Sequence, residues 1–323
     1  MKRILAVIII LGGLFSAYGQ TRMVINKTNG SDTSLLLSEI KSITFKSSQS
    51  SSGSVIIYSR TESGTQQIWR MTPDGSSNSK ISDVSEGSIF GLSLSPDRSR
   101  VAYSAGPNNG HNIYIMNLDG TGKTKITSPT ADFLYYYNPK WKDNGRLFVQ
   151  IARVGNEGKR DGIEMDADGK NIVWLTQGST RSVSLGGLSP NGTRIAFAEG
   201  TPYAGATTEV YIADYPTFSN KIQIANPENP GDEGHIRWSI LNKIVLSGTR
   251  IHIVNPDGTG LTTLSTSGST EGAPVFSPDG TQIAYVAIES NNYYIKTMND
   301  DGSSKTPIFS ATSGVQVGVV DWK

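Results

Sequence analysis

The amino-acid sequence predicts an all-β protein built from six copies of one four-stranded unit. Short apolar runs with period-two alternation are separated by turn-forming residues, a pattern typical of strands. Asp-Gly and Ser-Pro-Asp motifs recur with a period of about 45 residues. The pattern also opens on a second strand and closes on a first strand, so the two ends of the chain can complete one unit together.

The clearest stretch runs from residue 250 to residue 287. Its four short apolar runs are residues 251–254, 261–264, 273–276 and 283–287. In the Asp-Gly turns between runs, we expect the Asp carboxylate to cap the backbone amides of the turn and Gly to supply a positive φ angle. This stretch predicts one four-stranded antiparallel meander.

Two motifs mark the repeats. The turn after each third strand contains Asp74-Gly75, Asp119-Gly120, Asp168-Gly169, Asp257-Gly258 and Asp301-Gly302, and a longer turn at residues 214–220 takes the remaining place. The motif after each first strand is Ser95-Pro96-Asp97, Trp141-Lys142-Asp143, Ser189-Pro190-Asn191, Trp238-Ser239-Ile240, Ser277-Pro278-Asp279 and, at the chain end, Asp321-Trp322. Such a unit cannot bury its own apolar faces, and radial closure buries them in every copy.

The closing run, residues 315–322, is therefore expected to complete the first unit beside residues 55–59. The sequence predicts a six-bladed β-propeller with four-stranded antiparallel blades over residues 55–323.

The residues before the repeats predict a different organisation. Residues 1–19 combine Lys2 and Arg3 with an apolar run and a small-residue site, as in a secretory signal peptide. Residues 20–45 predict a short leader hairpin around Asn29-Gly30, and the Ser/Gly-rich residues 46–54 predict a flexible linker.

Composition excludes several classes of function. The chain has no cysteine, which excludes a lipidated cysteine, a disulfide framework and a thiolate metal site. A formal charge of +1 with 18% charged residues gives no electrostatic attraction to nucleic acid or to an anionic membrane. After the signal peptide, no apolar run is long enough to predict a transmembrane segment.

Residues 113–122 and 274–285 resemble the TolB-type propeller repeat, with its Ile-Tyr-x-Met-Asn-x-Asp-Gly and Ser-Pro-Asp-Gly patterns. The resemblance covers residues 55–323 and implies a six-bladed propeller of the kind found in exported Bacteroidetes proteins. TolB proteins carry an α/β domain before the propeller, whereas this chain shows only the short leader. We therefore do not infer from the resemblance that this chain interacts with the Tol-Pal system as TolB does.

Motifs for chemistry are scarce. The nearest string to a Gly-x-Ser-x-Gly nucleophile elbow, residues 91–95, lies in a predicted strand and ends in Ser95. The three histidines, His111, His235 and His252, fall in different blades, which does not suggest a metal cluster. The Asp-rich turns lack the Glu of a calcium loop, and turn geometry alone explains their recurrence. We predict no catalytic residue, metal or cofactor.

Topology indicates a binding face. Loops that enter the innermost strands share one face with loops that join second to third strands, around the mouth of the central channel. The candidate binding residues on this face are Glu86, Asp132, Tyr135, Tyr136, Arg181, Tyr203, His235, Arg237 and Glu271. The long loops 152–161 and 199–208 are expected to form a raised rim. The alternative is ordinary solvated loop polarity, with part of residues 135–137 inside the blade packing.

The sequence favours an exported, non-catalytic binding module of the periplasm or extracellular space, with an envelope protein, a peptide or an oligosaccharide as its partner. One alternative is a polysaccharide lyase or hydrolase that uses acid and base groups at the channel mouth. A structural component of an outer-membrane assembly is a third possibility.

Overall fold

The computed structural model describes residues 22–26, 32–36, 53–107, 110–176, 180–200, 209–225, 235–248, 250–265 and 270–323. The chain divides into two compact units, residues 1–48 and 49–323. The predicted signal peptide and most of the predicted linker lie outside the described residues. In the first unit, β1 (Arg22–Asn26) pairs antiparallel with β2 (Asp32–Leu36), so that Arg22 lies opposite Leu36.

The second unit is a ring of six four-stranded antiparallel blades. Blade 1 contains β26 (Val315–Trp322), β3 (Ile56–Glu62), β4 (Thr65–Met71) and β5 (Ser79–Val84). Blade 2 contains β6 (Ser88–Leu94), β7 (Arg100–Gly106), β8 (Asn112–Asn117) and β9 (Thr124–Lys125). Blade 3 contains β10 (Phe133–Trp141), β11 (Leu147–Arg153), β12 (Asn156–Met165) and β13 (Val173–Trp174).

Blade 4 contains β14 (Ser182–Leu188), β15 (Arg194–Gly200), β16 (Glu209–Asp214) and β17 (Ile222–Ala225). Blade 5 contains β18 (Ile236–Trp238), β19 (Ile244–Ser247), β20 (Ile251–Val254) and β21 (Thr262–Thr263). Blade 6 contains β22 (Thr270–Phe276), β23 (Gln282–Glu289), β24 (Asn292–Asn299) and β25 (Thr306–Ser310). The first strand named in each blade is the inner strand, which contacts the inner strand of at least one neighbouring blade.

The predicted six-bladed all-β propeller is confirmed. The prediction of a single meander over residues 250–287 is wrong, because that stretch spans two blades. Its first two strands, β20 and β21, complete blade 5, and β22 and β23 begin blade 6. The segment after β21 leads from the outer edge of one blade to the inner strand of the next, as the ring geometry requires.

The ring is closed by strand pairing, as the sequence predicted. Strand β26 pairs antiparallel with β3, so that Trp322 lies opposite Ile56. Beyond this pair, the Val55 amide donates to the Lys323 carbonyl at 2.7 Å and the Lys323 amide donates back at 3.0 Å. The indole Nε1 of Trp322 also donates to Ser54 Oγ at 2.7 Å. Blade 1 is therefore assembled from both ends of the propeller sequence.

The core lies between blades rather than within them. One buried cluster joins Ile57 and Ile68 of blade 1 to Leu92, Val101 and Tyr103 of blade 2. Each of these side chains is at most 1% exposed. Since burial of an apolar side chain contributes roughly 1.5–3 kcal/mol, each blade depends on its neighbours for stability.

The mechanism predicted for the Asp-Gly turns is confirmed at Asp257-Gly258, where Asp257 accepts from the Thr259 amide at 2.9 Å and Gly258 has a φ angle of +83°. The Ser-Pro-Asp turns use the same capping. Asp97 accepts hydrogen bonds from Ser95 Oγ at 2.6 Å and from the Ser99 amide at 3.1 Å, and these bonds lower its carboxyl pKa to about 2. In blade 4 the side-chain oxygen of Asn191 takes the same place and accepts from Ser189 Oγ at 2.7 Å. The motif thus requires an acceptor oxygen rather than a charge.

The glycines of the Asp-Gly turns have a second role that the sequence did not reveal. A Cβ atom on Gly169 would lie 2.0 Å from the carbonyl oxygen of Ile126 in the preceding blade. A Cβ on Gly75 would lie 2.0 Å from the carbonyl oxygen of Ile308. These turns therefore set the closest approach between the outer strands of adjacent blades.

Two departures from the repeat contact each other. In blade 3, Lys142 takes the place of the usual Ser of the Ser-Pro-Asp motif, and in blade 4 the longer turn contains Tyr215. The Lys142 ammonium donates to Glu164 Oε1 at 2.7 Å and to the Tyr215 hydroxyl at 2.6 Å. It also lies 4.7 Å from the centre of the Tyr215 ring. This network joins blades 3 and 4, where the Asp-Gly turn is missing.

We predict that Gly169→Ala destabilises the protein more than Gly145→Ala does. Both glycines have positive φ angles, +81° and +78°, but a Cβ at Gly145 would meet nothing within 4 Å. Gly145→Ala should lower the free energy of unfolding by about 1–2 kcal/mol through its φ angle alone. Gly169→Ala should lower it further because blades 2 and 3 must move apart. Denaturant unfolding measures both losses, and equal losses would contradict the second role of Gly169.

Candidate functional site

The residue before the last of each inner strand occupies an equivalent place in all six blades. The last residues pair in the same way: Trp141 lies opposite Leu147 and Trp238 opposite Ile244, each near the start of the second strand. We call these six positions the channel ring: Asp321, Ser93, Lys140, Gly187, Arg237 and Val275, in the order of blades 1 to 6.

Side chains of the channel ring reach the inner strand of the next blade. Asp321 Oδ2 accepts hydrogen bonds from the Leu94 amide at 2.8 Å and from the Ser93 hydroxyl at 3.2 Å. Ser93 Oγ in turn accepts from the Trp141 amide at 3.2 Å. The Lys140 ammonium donates to the carbonyl oxygen of Leu185. The polar part of the ring thus holds blades 1 to 4 together around the axis.

Three basic side chains influence one another electrostatically around the channel ring. Lys140 is 7% exposed, and its pKa is lowered by burial and by Arg237, although Asp321 opposes the shift. Burial also lowers the pKa of Arg237. His235, directly before β18, has its pKa lowered to about 3 by burial, Arg237 and Lys140. His235 and Arg237 are surrounded by protein yet keep partial exposure to solvent, as expected for side chains that line a channel.

A second group, which we call the mouth cluster, lies on blades 2 and 3 near the starts of their inner strands. It consists of Phe90, His111, Tyr135, Tyr137 and Arg160. The His111 ring centre lies 4.1 Å from that of Phe90 and 5.1 Å from that of Tyr137. The ring centres of Tyr135 and Tyr137 lie 6.0 Å apart, and the Arg160 guanidinium stacks 5.1 Å from the centre of the Tyr137 ring.

Irregular strands bring the mouth cluster together. The β6–β7 register shifts between Ile89 and Gly91, and the β10–β11 register shifts between Tyr137 and Lys140. A Cβ on Gly91 would lie 2.5 Å from the Asn138 Cα atom, so the two inner strands are in close contact here. Bulges of this kind redirect side chains, and they are common next to functional sites.

The accessible surface of the mouth cluster is aromatic and cationic. Phe90, Tyr135, Tyr137 and Arg160 are each half-buried. His111 is 2% exposed and lies behind them, and neither of its ring nitrogens has a hydrogen-bond partner among the described residues. Burial, reinforced by Arg160, lowers the pKa of His111, so its imidazole is neutral.

Several residues proposed from the sequence are engaged within their own blades. Glu86 pairs with Lys123 at 2.6 Å, and Glu271 pairs with Lys305 at 3.2 Å. Arg181 pairs with Glu209 on the same blade. These three candidates stabilise blades 2, 6 and 4 and are not brought together in one site.

The other candidates are divided between core, rim and channel. Tyr136 is 2% exposed and packs on Phe133 in the core between blades 2 and 3. Asp132 is exposed on the loop before β10, and Tyr203 lies outside the described residues, as does most of the loop 199–208. Of the proposed residues, Arg237 belongs to the channel ring, His235 directly precedes the same strand, and Tyr135 lies in the mouth cluster.

Sequence reasoning missed Lys140 and Asp321 as candidates. Both precede the tryptophan at the end of an inner strand, as Arg237 does. Alignment of that one position across the repeats would have revealed the channel ring.

The expectation that the three histidines fall in different blades is wrong, because His235 directly precedes β18 and His252 lies in β20, both in blade 5. The described residues contain no group of three or more His, Asp or Glu side chains placed to hold a metal ion. Within the same residues, no helix is long and apolar enough to span a membrane.

No family model matches the chain. A TolB homologue of Chlorobium luteolum is 32% identical over 127 residues, which span 39% of this chain and 28% of the homologue. Among solved structures, TolB of Acinetobacter baumannii superposes with a TM-score of 0.66 at 18% identity, covering 83% of this chain and 66% of that one.

A chain of a nidogen/laminin complex superposes with a TM-score of 0.63 at 12% identity, covering 84% of this chain and 98% of that one. These similarities confirm that the propeller resembles those of TolB proteins in fold.

We predict that His235→Gln makes stability less dependent on pH between pH 6.5 and 3. The folded protein keeps His235 neutral down to about pH 3, whereas the unfolded chain protonates it near pH 6.5. The unfolded state therefore binds one more proton in this window, and stability falls as pH falls, by at most about 1.4 kcal/mol per pH unit.

Denaturant unfolding of wild type and His235→Gln at a series of pH values, at constant ionic strength, measures the two slopes. Equal slopes would contradict the placement of a neutral His235 beside Arg237 and Lys140.

Proposed function

We propose that this chain is a non-catalytic binding module of the cell envelope or the extracellular space, and that its mouth cluster contacts a partner protein or peptide. The proposal rests on one observation above all: Phe90, Tyr135 and Arg160 each contact Tyr137, and all four side chains are half-buried on one face of the ring.

Residues of these types suit protein recognition. Tyr and Arg are enriched among the residues that contribute most to binding at protein interfaces, because they bury large areas while retaining hydrogen-bonding groups. Here Tyr135 and Tyr137 belong to the paired strand β10, so little conformational entropy is lost when a partner orders them. Both rings therefore offer preformed contacts.

The comparisons and the sequence support the same proposal. The fold resembles that of TolB, and a chain with a similar fold occurs in a nidogen/laminin complex, beside a protein partner. We propose export on the basis of the predicted signal peptide at residues 1–19, followed by the leader at 20–45 and the linker at 46–54. A periplasmic location is consistent with the likeness to TolB.

The enzyme alternative has less support from the geometry. It requires free acid and base groups at the channel mouth, and the acidic residues considered for it include Glu86 and Glu271. Each of these carboxylates lies in an ion pair with a lysine of its own blade.

Binding to the mouth cluster can be tested with a panel of envelope-protein fragments, peptides and oligosaccharides measured by biolayer interferometry. For a protein or peptide ligand, we expect Tyr135→Ala and Arg160→Ala each to weaken affinity at least about tenfold. Leu261→Ala is the control, because Leu261 is 48% exposed and lies near the turns of the opposite face.

A ligand whose affinity is unchanged in both variants would contradict the proposal. A response confined to oligosaccharides would replace the protein partner with a glycan.

A further inference from the structure

The channel ring carries more positive than negative charge. Among the described residues, neither Lys140 nor Arg237 forms an ion pair. The Lys140 ammonium donates to the Leu185 carbonyl, and Arg237 Nη1 donates to the carbonyl of its neighbour Ile236 at 3.1 Å. Within the described part of the chain, neither side chain donates a further hydrogen bond.

The acidic group of the ring does not neutralise both cations. Asp321 is 4% exposed, and one of its oxygens accepts from the Leu94 amide and the Ser93 hydroxyl of blade 2. Asp321 attracts both Lys140 and Arg237, but burial and mutual repulsion outweigh that attraction at Lys140. The ring thus contains two basic groups and one carboxylate, and that carboxylate is already hydrogen-bonded.

A buried charge without a counter-charge destabilises the folded state, and binding of an ion of opposite charge reduces that destabilisation. A buried cation without a partner costs several kcal/mol in general, and a low-dielectric enclosure strengthens its attraction for an anion. A planar guanidinium and an ammonium group, here at equivalent positions of two inner strands, suit the oxygens of a carboxylate or phosphate, which accept two or more hydrogen bonds at once.

We propose that the channel ring binds an oxyanion, a carboxylate or a phosphate, between the ammonium group of Lys140 and the guanidinium group of Arg237. The site goes beyond the proposed function, because it uses different residues and does not require a partner at the mouth cluster. The anion comes either from solution or from the terminal carboxylate of a peptide that enters the channel.

The test uses the full chain and four probes: inorganic phosphate, acetate, N-acetyl-triglycine and N-acetyl-triglycine amide. Calorimetric titration and thermal unfolding at pH 7 and constant ionic strength give affinity and stabilisation, since a ligand that binds the folded state raises Tm. We expect saturable binding of phosphate, and at least tenfold weaker binding in Lys140→Met and in Arg237→Gln. Lys170→Gln is the matched control, because the Lys170 side chain is 77% exposed on an outer turn.

The peptide probes distinguish the source of the anion. Binding of N-acetyl-triglycine without binding of its amide identifies a terminal carboxylate as a ligand. Binding of phosphate or acetate alone identifies a free anion. Each outcome supports the oxyanion site.

The variants without added anion give a second readout that does not depend on ligand affinity. Because each variant removes a buried cation, at least one of them should unfold at a Tm equal to or above that of the wild type. The proposal is overturned if no probe binds saturably, if binding survives in both variants, or if both variants unfold at a lower Tm. These results do not depend on whether the mouth-cluster variants lose affinity for a partner. Each of the two proposals can therefore be contradicted without the other.

Discussion

The pairing of β26 with β3 is the interaction on which the rest of the propeller depends. Each blade buries its apolar faces only against its neighbours, so an open ring would leave two faces in water. The closing strand also carries Asp321 and Trp322. Asp321 accepts a hydrogen bond from the Leu94 amide of blade 2, and Trp322 donates one to Ser54. Closure therefore completes blade 1, covers the last two faces and places one side chain of the channel ring.

Spacing between blades is controlled at two radii. Near the axis, Ser93 and Asp321 join successive inner strands by hydrogen bonds. At the outer edge, turn glycines such as Gly75 and Gly169 bring the backbone of one blade against the last strand of another. Between blades 3 and 4, the Tyr215 turn and Lys142 replace this contact. The two irregular motifs therefore preserve, by a polar network, the spacing that small turns provide elsewhere.

The fold could be predicted from the sequence because the information is local and repeated: each Asp-Gly turn and each alternating run specifies a strand boundary. The site could be predicted only in part. Arg237 and His235 were placed near the channel because they open an inner strand, but Glu86, Arg181 and Glu271 form ion pairs that depend on side-chain direction. The bulge after Tyr137 hid Lys140, because one extra residue changes the alternation on which strand assignment relies.

Native-state hydrogen exchange of the backbone amides tests the central role of closure most directly. If separation of β26 from β3 unfolds the whole propeller, the amides of β26 and β3 exchange only by global unfolding. Their free energies of exchange should then equal those of the central strand β15 in blade 4. Exchange from β26 more than about a hundredfold faster than from β15, with β15 still protected, would show that the ring survives opening and would contradict this account.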